Sequence, residues 1–407
     1  MRVIGAAKSA GIWAARLLAV IVVGMALLIA AMWIDHSAPT TLPYPTGDFA
    51  VGRASYDWVD GPQSSEPVLA PEGRRALMVW IWFPTGPATS MATSSEYLPP
   101  PWIQALSESR GALMTNLLQR DLSRVRAHSL LNSAVSNRLP SYPVIIMRAG
   151  NAALTTDYTT LAEDLASHGY VVVGMDAPRR TQLVVFPDGR RIARSSENNA
   201  DLVGGAALQT MALRLESAWS GDITFVLDRL EQLNVSDPSG RFTGRLNLAR
   251  VGIWGHSLGG STALQFCHMD HRCKAGIDVD GLPLSSVIKD GLDKPFMFLL
   301  SDHSREQADP ESIRIDANLK SIYRTLPPAD RFWVVLKGAN HFGFSDGALL
   351  KSPVLQSGLH SLGVLGMDGQ QQLTMSRLCL SEFFNIYLKG APRGETPTLN
   401  SLSVRQP

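Results

Sequence analysis

A serine hydroxyl becomes a useful nucleophile only when a neighbouring base takes its proton, so the pattern of interest is a serine in a constrained turn with a histidine able to reach it. Gly255-His256-Ser257-Leu258-Gly259 supplies the serine. A G-x-S-x-G match is weak by itself. Here it begins where the apolar run Arg250–Trp254 ends and leads into a helix-compatible stretch, Ser261–Phe266. Strand, sharp turn and helix are what a nucleophile elbow requires, with small residues where two backbones approach and the serine pushed out at the carboxyl edge of a sheet. Of nine histidines, His341 is best placed as general base, in the loop Gly338-Ala339-Asn340-His341-Phe342-Gly343 after the last expected strand. His256 lies inside the elbow and should diverge from Ser257, His303 follows an earlier strand, and His268 and His271 sit on the helix behind the nucleophile. An acid must orient the imidazole and stabilise its charged form. Asp280, which closes Gly276-Ile277-Asp278-Val279-Asp280, and Asp302, which follows Leu299-Leu300-Ser301, both qualify, and on strand order alone Asp302 ranks first.

These groups converge only if several elements deliver them to one rim. The apolar runs Ala76–Phe83, Pro143–Met147, Tyr170–Met175, Arg250–Trp254, Ala275–Val279, Pro295–Leu300 and Arg331–Lys337 read as buried strands. Helical patterns separate many of them: Thr155–His168, stopped by Gly169; Ser217–Leu233; and, after the last strand, Gln371–Leu388, ended by Gly390. Alternation of this kind, with crossovers long enough for a helix, predicts an α/β fold with a mostly parallel sheet and helices on both faces, although antiparallel pairing of the first strands is also compatible. Leu183–Ile192 reads as a hairpin about Pro187-Asp188-Gly189, Thr85–Pro101 as a loop, and 102–137 as a helical insertion near the substrate entrance or a cap.

The chain has 407 residues, 45% hydrophobic and 18% charged, enough to bury a large core. A net charge of +1, with no basic stripe interleaved with aromatics, gives no case for nucleic acid. The amino terminus differs from the rest. Leu17–Ile34 holds no charged residue, Arg2, Lys8 and Arg16 precede it, and Asp35 follows. Such a run is long enough to span a bilayer, and the positive-inside rule leaves the amino terminus cytoplasmic and exports the bulk of the chain. A cleaved leader is the competing reading; the length of the run and the lack of an A-x-A-like site between Ala30 and Pro39 favour a retained anchor. The expected organisation is therefore an anchor at 1–35, a Pro-rich linker at 36–46, a catalytic domain at 47–392 and a tail at 393–407. In an exported chain Cys267 and Cys273 are candidates for a disulfide that would leave Cys379 over. The Cys267–Cys273 segment matches no recognised metal-ligand spacing. Trp80, Trp82, Trp102 and Trp254 read as core.

From Gly47 to about Gly390 the sequence resembles the platelet-activating factor acetylhydrolase family, with its plasma-type and bacterial relatives. The matching features are Phe49-Ala50-Val51-Gly52, Ile81-Trp82-Phe83-Pro84, Asp164-Leu165-Ala166-Ser167-His168-Gly169-Tyr170, Gly255-His256-Ser257-Leu258-Gly259-Gly260, Asp278-Val279-Asp280-Gly281, and the Gly-x-x-His loop with Phe344 and Asp346 beyond it. The resemblance implies an α/β-hydrolase fold and a serine ester hydrolase acting on short-acyl or lipid-like esters without a cofactor. In that family the acid closes the strand after the nucleophile helix, which puts Asp280 first and Asp302 second. One departure stands out: Ala149-Gly150 occupies the place of the family's usual His-Gly pair before the oxyanion loop. Oxyanion stabilisation uses backbone donors, here expected from Leu258 and Asn151, so catalysis does not need the missing imidazole. A lipase, a polyester hydrolase or a dienelactone hydrolase-like esterase would carry the same motifs. A different class, an anchored binding protein on a non-catalytic hydrolase scaffold, is disfavoured by the complete set of triad candidates.

Overall fold

The computed structural model describes residues 2–60, 75–87, 93–111, 118–302, 310–361 and 366–402. Its strands, in chain order, are β1 (Thr40–Thr41), β2 (Ala50–Val59), β3 (Ala76–Thr85), β4 (Thr93–Glu96), β5 (Val125–Leu131), β6 (Tyr142–Arg148), β7 (Val171–Asp176), β8 (Leu183–Val185), β9 (Arg191–Ala193), β10 (Leu246–His256), β11 (Cys273–Val279), β12 (Phe296–Ser301) and β13 (Arg331–Leu336). All but β8 and β9 form one sheet in the order β1-β5-β2-β3-β7-β6-β10-β11-β12-β13, with β4 paired to β5. From β7 to β13 every pairing is parallel, whereas β3 runs antiparallel to both β2 and β7. The sheet is thus mostly parallel with an antiparallel start.

Period-2 alternation splits the core into two layers. From β3, Met78, Trp80 and Trp82 face one layer, while Leu77, Val79, Ile81 and Phe83 face the other. Helix Gly369–Lys389 covers the first layer with Leu373, Leu380, Phe383 and Phe384, and helix Thr159–Ser167 adds Leu161 and Leu165. Helix Gly205–Val235 brings Ile223, Val226 and Leu230 to the second layer, beside Ala263 and Leu264 of helix Leu258–Met269. Strands buried on both faces read as continuous apolar runs, which is why their positions were legible. The four tryptophans named above are all buried. Helix Gly369–Lys389 ends at Gly390 in the left-handed region, as its sequence foretold.

The sheet's amino-terminal edge departs from expectation. The helical spacing over 102–137 meets a helix at Pro100–Arg110 and then strand β5, whose ladder partners β1, β2 and β4 all lie earlier in the chain. Val125 and Ala127 alternate with exposed neighbours, too short a pattern to register without those partners. Within the expected loop Thr85–Pro101, β4 pairs with β5. The Pro-rich stretch 36–46 is no free linker, because Thr40–Thr41 pairs with β5 and Leu42 is buried. Pro39 and Pro43 flank the pair at the sheet edge, where a missing N–H costs no ladder bond. The tail holds a short helix, Pro397–Leu402, with Leu399 buried and the Glu382 carboxylate accepting from the N–H groups of Thr398 and Leu399.

The amino-terminal helix runs from Arg2 to His36. Its segment Ile12–His36 is long and apolar enough to cross a membrane and is not buried against the rest of the protein. Its carboxyl end is tied down by an Asp35–Arg120 ion pair at 3.0 Å, by the ring of His36 against the Gln119 carbonyl at 2.7 Å, and by the Asp121 N–H, which donates to the His36 carbonyl at 3.0 Å.

Candidate active site

Ser257 stands at the end of β10 with φ 56° and ψ −126°, directly before helix Leu258–Met269. A side chain in that left-handed conformation is strained, and the surrounding packing holds it there. The two flanking glycines are required by close approach. A Cβ on Gly255 would come within 2.1 Å of the Gly259 carbonyl oxygen, and one on Gly259 within 2.3 Å of the Arg148 carbonyl oxygen. The Ser257 N–H donates to the Val279 carbonyl at 2.9 Å, which ties the elbow to the neighbouring strand β11.

Asp280 follows β11 and is also in the left-handed region, at φ 53°. Its carboxylate accepts from the Ser301 N–H at 3.0 Å and the Ser301 hydroxyl at 2.7 Å, and its Oδ2 lies 2.8 Å from His341 Nδ1. Burial pushes the Asp280 carboxyl up, but the imidazole of His341 and the two Ser301 bonds outweigh it and hold it at about 2. Because the carboxylate only accepts, Nδ1 of His341 carries the proton and Nε2 is left as the basic nitrogen. Asp302 serves elsewhere. Its Oδ1 accepts from the Gly338 N–H at 2.7 Å and fixes the start of the loop that carries His341. Sequence position alone favoured Asp302; the geometry joins His341 to Asp280.

Ser257, Asp280 and His341 border one cavity of about 260 Å³, together with Gly281 and Leu282 and with Ser312, Ile315 and Asp316 of helix Pro310–Thr325. Leu258 is the first residue of its helix, where backbone N–H groups and the helix dipole favour negative charge. Asn151 lies in the turn after β6. That turn passes over the elbow so closely that a Cβ on Gly150 would lie 3.3 Å from the Cβ of Ser257. His256 is buried and bonds the Tyr158 hydroxyl and the His341 carbonyl instead of bordering the cavity. His268 makes a 3.5 Å contact with Asp290, the His271 side chain is exposed, and His303 lies outside the described residues.

Cys267 and Cys273 form a disulfide that joins the far end of helix Leu258–Met269 to the start of β11, and Cys379 is buried and free. The bond consumes the thiolates that a metal reading of this segment would need. Among the described residues no group of three or more His, Cys, Asp or Glu is placed to hold a metal. Two contributors escaped sequence reasoning. Ser301, the last residue of β12, grips Asp280, and Tyr158 bonds His256 from the turn before helix Thr159–Ser167. Neither carries a local signal, since each matters through a partner at least 21 residues away.

Comparison with known proteins agrees with this fold. The family model described as platelet-activating factor acetylhydrolase, isoform II, matches residues 34–184 and 230–378. A platelet-activating factor acetylhydrolase of Cavia porcellus is 23% identical over 327 residues, covering 75% of this chain and 69% of the relative. A probable 1-alkyl-2-acetylglycerophosphocholine esterase of Arthroderma benhamiae is 25% identical over 386 residues, covering 89% and 92%. Among solved structures, a ferulic acid esterase from Streptomyces cinnamoneus superposes with a TM-score of 0.70 over 89% of this chain and 96% of its own, at 24% identity.

Proposed function

The chain belongs to the platelet-activating factor acetylhydrolase, isoform II, family of carboxylic ester hydrolases, and from that premise we propose that Ser257 is its nucleophile, His341 its general base and Asp280 the acid that orients the base. The observation that carries this reading is the 2.8 Å bond between His341 Nδ1 and Asp280 at the wall of the cavity that Ser257 also borders. Ser257 attacks the ester carbonyl while Nε2 of His341 takes its proton. The N–H groups of Leu258 and Asn151 receive the oxyanion, and the alcohol departs with the proton returned by His341. Water, deprotonated by the same imidazole, then releases the acid from the acyl-enzyme. Nothing in this sequence of steps calls on a cofactor.

The substrate is a short-acyl ester, of phospholipid type or similar. The small cavity supports a short acyl group, since pockets for larger ligands run to about 300–1,000 Å³. The amino-terminal helix supports a membrane-anchored enzyme working on esters at the bilayer surface. The Cys267–Cys273 bond supports an oxidising, extracytoplasmic location for the catalytic domain. The organisation then reads as an anchor at 1–35 joined directly to a hydrolase domain that takes in β1 at Thr40–Thr41 and extends to helix Pro397–Leu402.

Ser257→Ala tests the mechanism. The full chain in detergent should lose turnover of p-nitrophenyl acetate and labelling by a fluorophosphonate probe while keeping its melting temperature. Retained turnover would remove Ser257 as nucleophile, and a wild-type protein that the probe never labels would favour a non-catalytic scaffold. A p-nitrophenyl ester series of rising chain length, run beside intact and oxidised phospholipids, fixes the acyl preference, and a flat response to chain length would refute the short-acyl assignment. Release of the intact protein from membranes by carbonate would refute the anchor.

A further inference from the structure

The imidazole of His256 turns away from the cavity and lies against the ring of His341, with centroids 4.5 Å apart. Its Nε2 is 2.8 Å from the carbonyl oxygen of His341. A carbonyl only accepts, so Nε2 bears the proton. Burial, reinforced by the adjacent His341, pushes the imidazolium form of His256 down to about 3 and keeps the ring neutral. Nδ1 is then a lone-pair acceptor, and the hydroxyl of Tyr158, 2.8 Å away, donates to it. The same phenol oxygen accepts from the N–H of Gly150 at 3.3 Å. Every link therefore has one direction: Gly150 N–H to Tyr158 oxygen, Tyr158 hydroxyl to His256 Nδ1, and His256 Nε2–H to the His341 carbonyl.

The two ends of this chain belong to the two irregular segments of the site. Gly150 begins the turn that carries Asn151, and His341 begins a single 3₁₀ turn, His341–Phe344. Neither segment is itself part of a long strand or helix; Gln372 of helix Gly369–Lys389 bonds Asn340 beside His341, and Ala152 bridges to Thr181, but neither contact joins the two segments to one another. The two middle members are rigid: His256 is the last residue of β10, and the Tyr158 ring packs edge-on against Trp254 with centroids 5.7 Å apart. The Gly150 N–H bond to Tyr158 anchors the turn at the residue directly before Asn151, the oxyanion donor assigned above.

We propose that Tyr158 and His256 are positioning residues that lock the oxyanion turn and the histidine loop to one another across the nucleophile elbow. The proposal rests on the assignment of Ser257 and His341 as nucleophile and base. It assigns no contact with substrate to either residue. Their effect is to hold the oxyanion donor and the base at a fixed separation, a geometry to which the transition state is more sensitive than the bound ester.

The test uses the full chain in detergent, with steady-state kinetics on p-nitrophenyl acetate, the rate of fluorophosphonate labelling, and thermal melts. Tyr158→Phe keeps the ring on Trp254 and removes only the hydroxyl. It should lower kcat and the labelling rate by roughly 10- to 100-fold while KM stays within about threefold and the melting temperature within a few degrees. His256→Ala should lower kcat to a similar degree. The double variant should be no slower than the worse single one, because two links of one chain fail together. Wild-type kcat in Tyr158→Phe, or a loss that only tracks the unfolded fraction, overturns the proposal, as do single effects that multiply in the double variant. Should His256→Ala fail to fold, Tyr158→Phe decides alone. An active Ser257→Ala would instead strike the underlying assignment, and that result is read separately.

Discussion

Two buried carboxylates close to the site have opposite fates. Asp280 at the cavity wall and Asp346 beside helix Thr159–Ser167 are 5% and 0% exposed, so burial does not separate them. Asp280 accepts from His341 and twice from Ser301, and it is held at about 2. Asp346 accepts from the Thr160 N–H, which lies 3.3 Å from both of its oxygens, and has Asp157 and Glu163 nearby. Burial, reinforced by those like charges, overrides the Thr160 bond and pushes it up to about 8. Glu216, beneath the elbow and bonded to the Ser261 hydroxyl, is likewise raised by burial, to about 7. Equal burial thus yields an anion where a basic imidazole is the partner and a neutral acid where the partners are uncharged donors. The anion is the one at the cavity wall.

The sharpest attack on this contrast removes the charge at Asp280. Asp280→Asn should lower kcat by about 10³ to 10⁴, the cost of losing the acid that fixes the tautomer, with KM little changed. Asp302→Asn should stay within about tenfold of wild type and act mainly through the loop that it caps at Gly338. Equal losses in the two variants, measured on p-nitrophenyl acetate, would erase the distinction.

A smaller effect separates the two ends of the nucleophile helix. Replacing Cys267 and Cys273 together by alanine should cost about 2 kcal/mol, since the bond closes a short loop. The change lies at the end of the helix away from Ser257. A urea titration should therefore show a lower midpoint, while kcat well below the melting temperature stays within about twofold of wild type. A large loss of kcat would mean that the helix transmits the disturbance to Ser257.

The gentlest probe is pH. Asp346 rises from an ordinary 3.8 to about 8, so between those values the folded protein binds a proton that the unfolded chain has released. Its contribution to stability is complete below about 3.8, declines as pH rises, and levels off above about 8. Asp280 works in the opposite sense, contributing fully above 3.8 and losing that contribution as pH falls through about 2. Asp346→Asn should flatten the decline of melting temperature between pH 5 and 8 by a few degrees. An unchanged slope would mean that Asp346 is already ionised in the folded state.

The sequence by itself determined the elements whose signals are local. Strands buried on both faces show as apolar runs, the elbow shows as a strand meeting paired glycines and a helix, and Gly390 marks a helix end. In each case one short window contains the whole physical cause. Strand β5 was missed because its partners β1, β2 and β4 stabilise it from earlier in the chain. The choice between Asp280 and Asp302 was likewise beyond any window. It depends on how β11, β12 and the His341 loop end relative to one another, which brings Ser301 and His341 to one carboxylate and Gly338 to the other. The Gly150–Tyr158–His256–His341 chain joins four segments of the polypeptide. Hydrogen bonds reach about 3 Å whatever the sequence separation, so only the folded packing decides which of these groups meet.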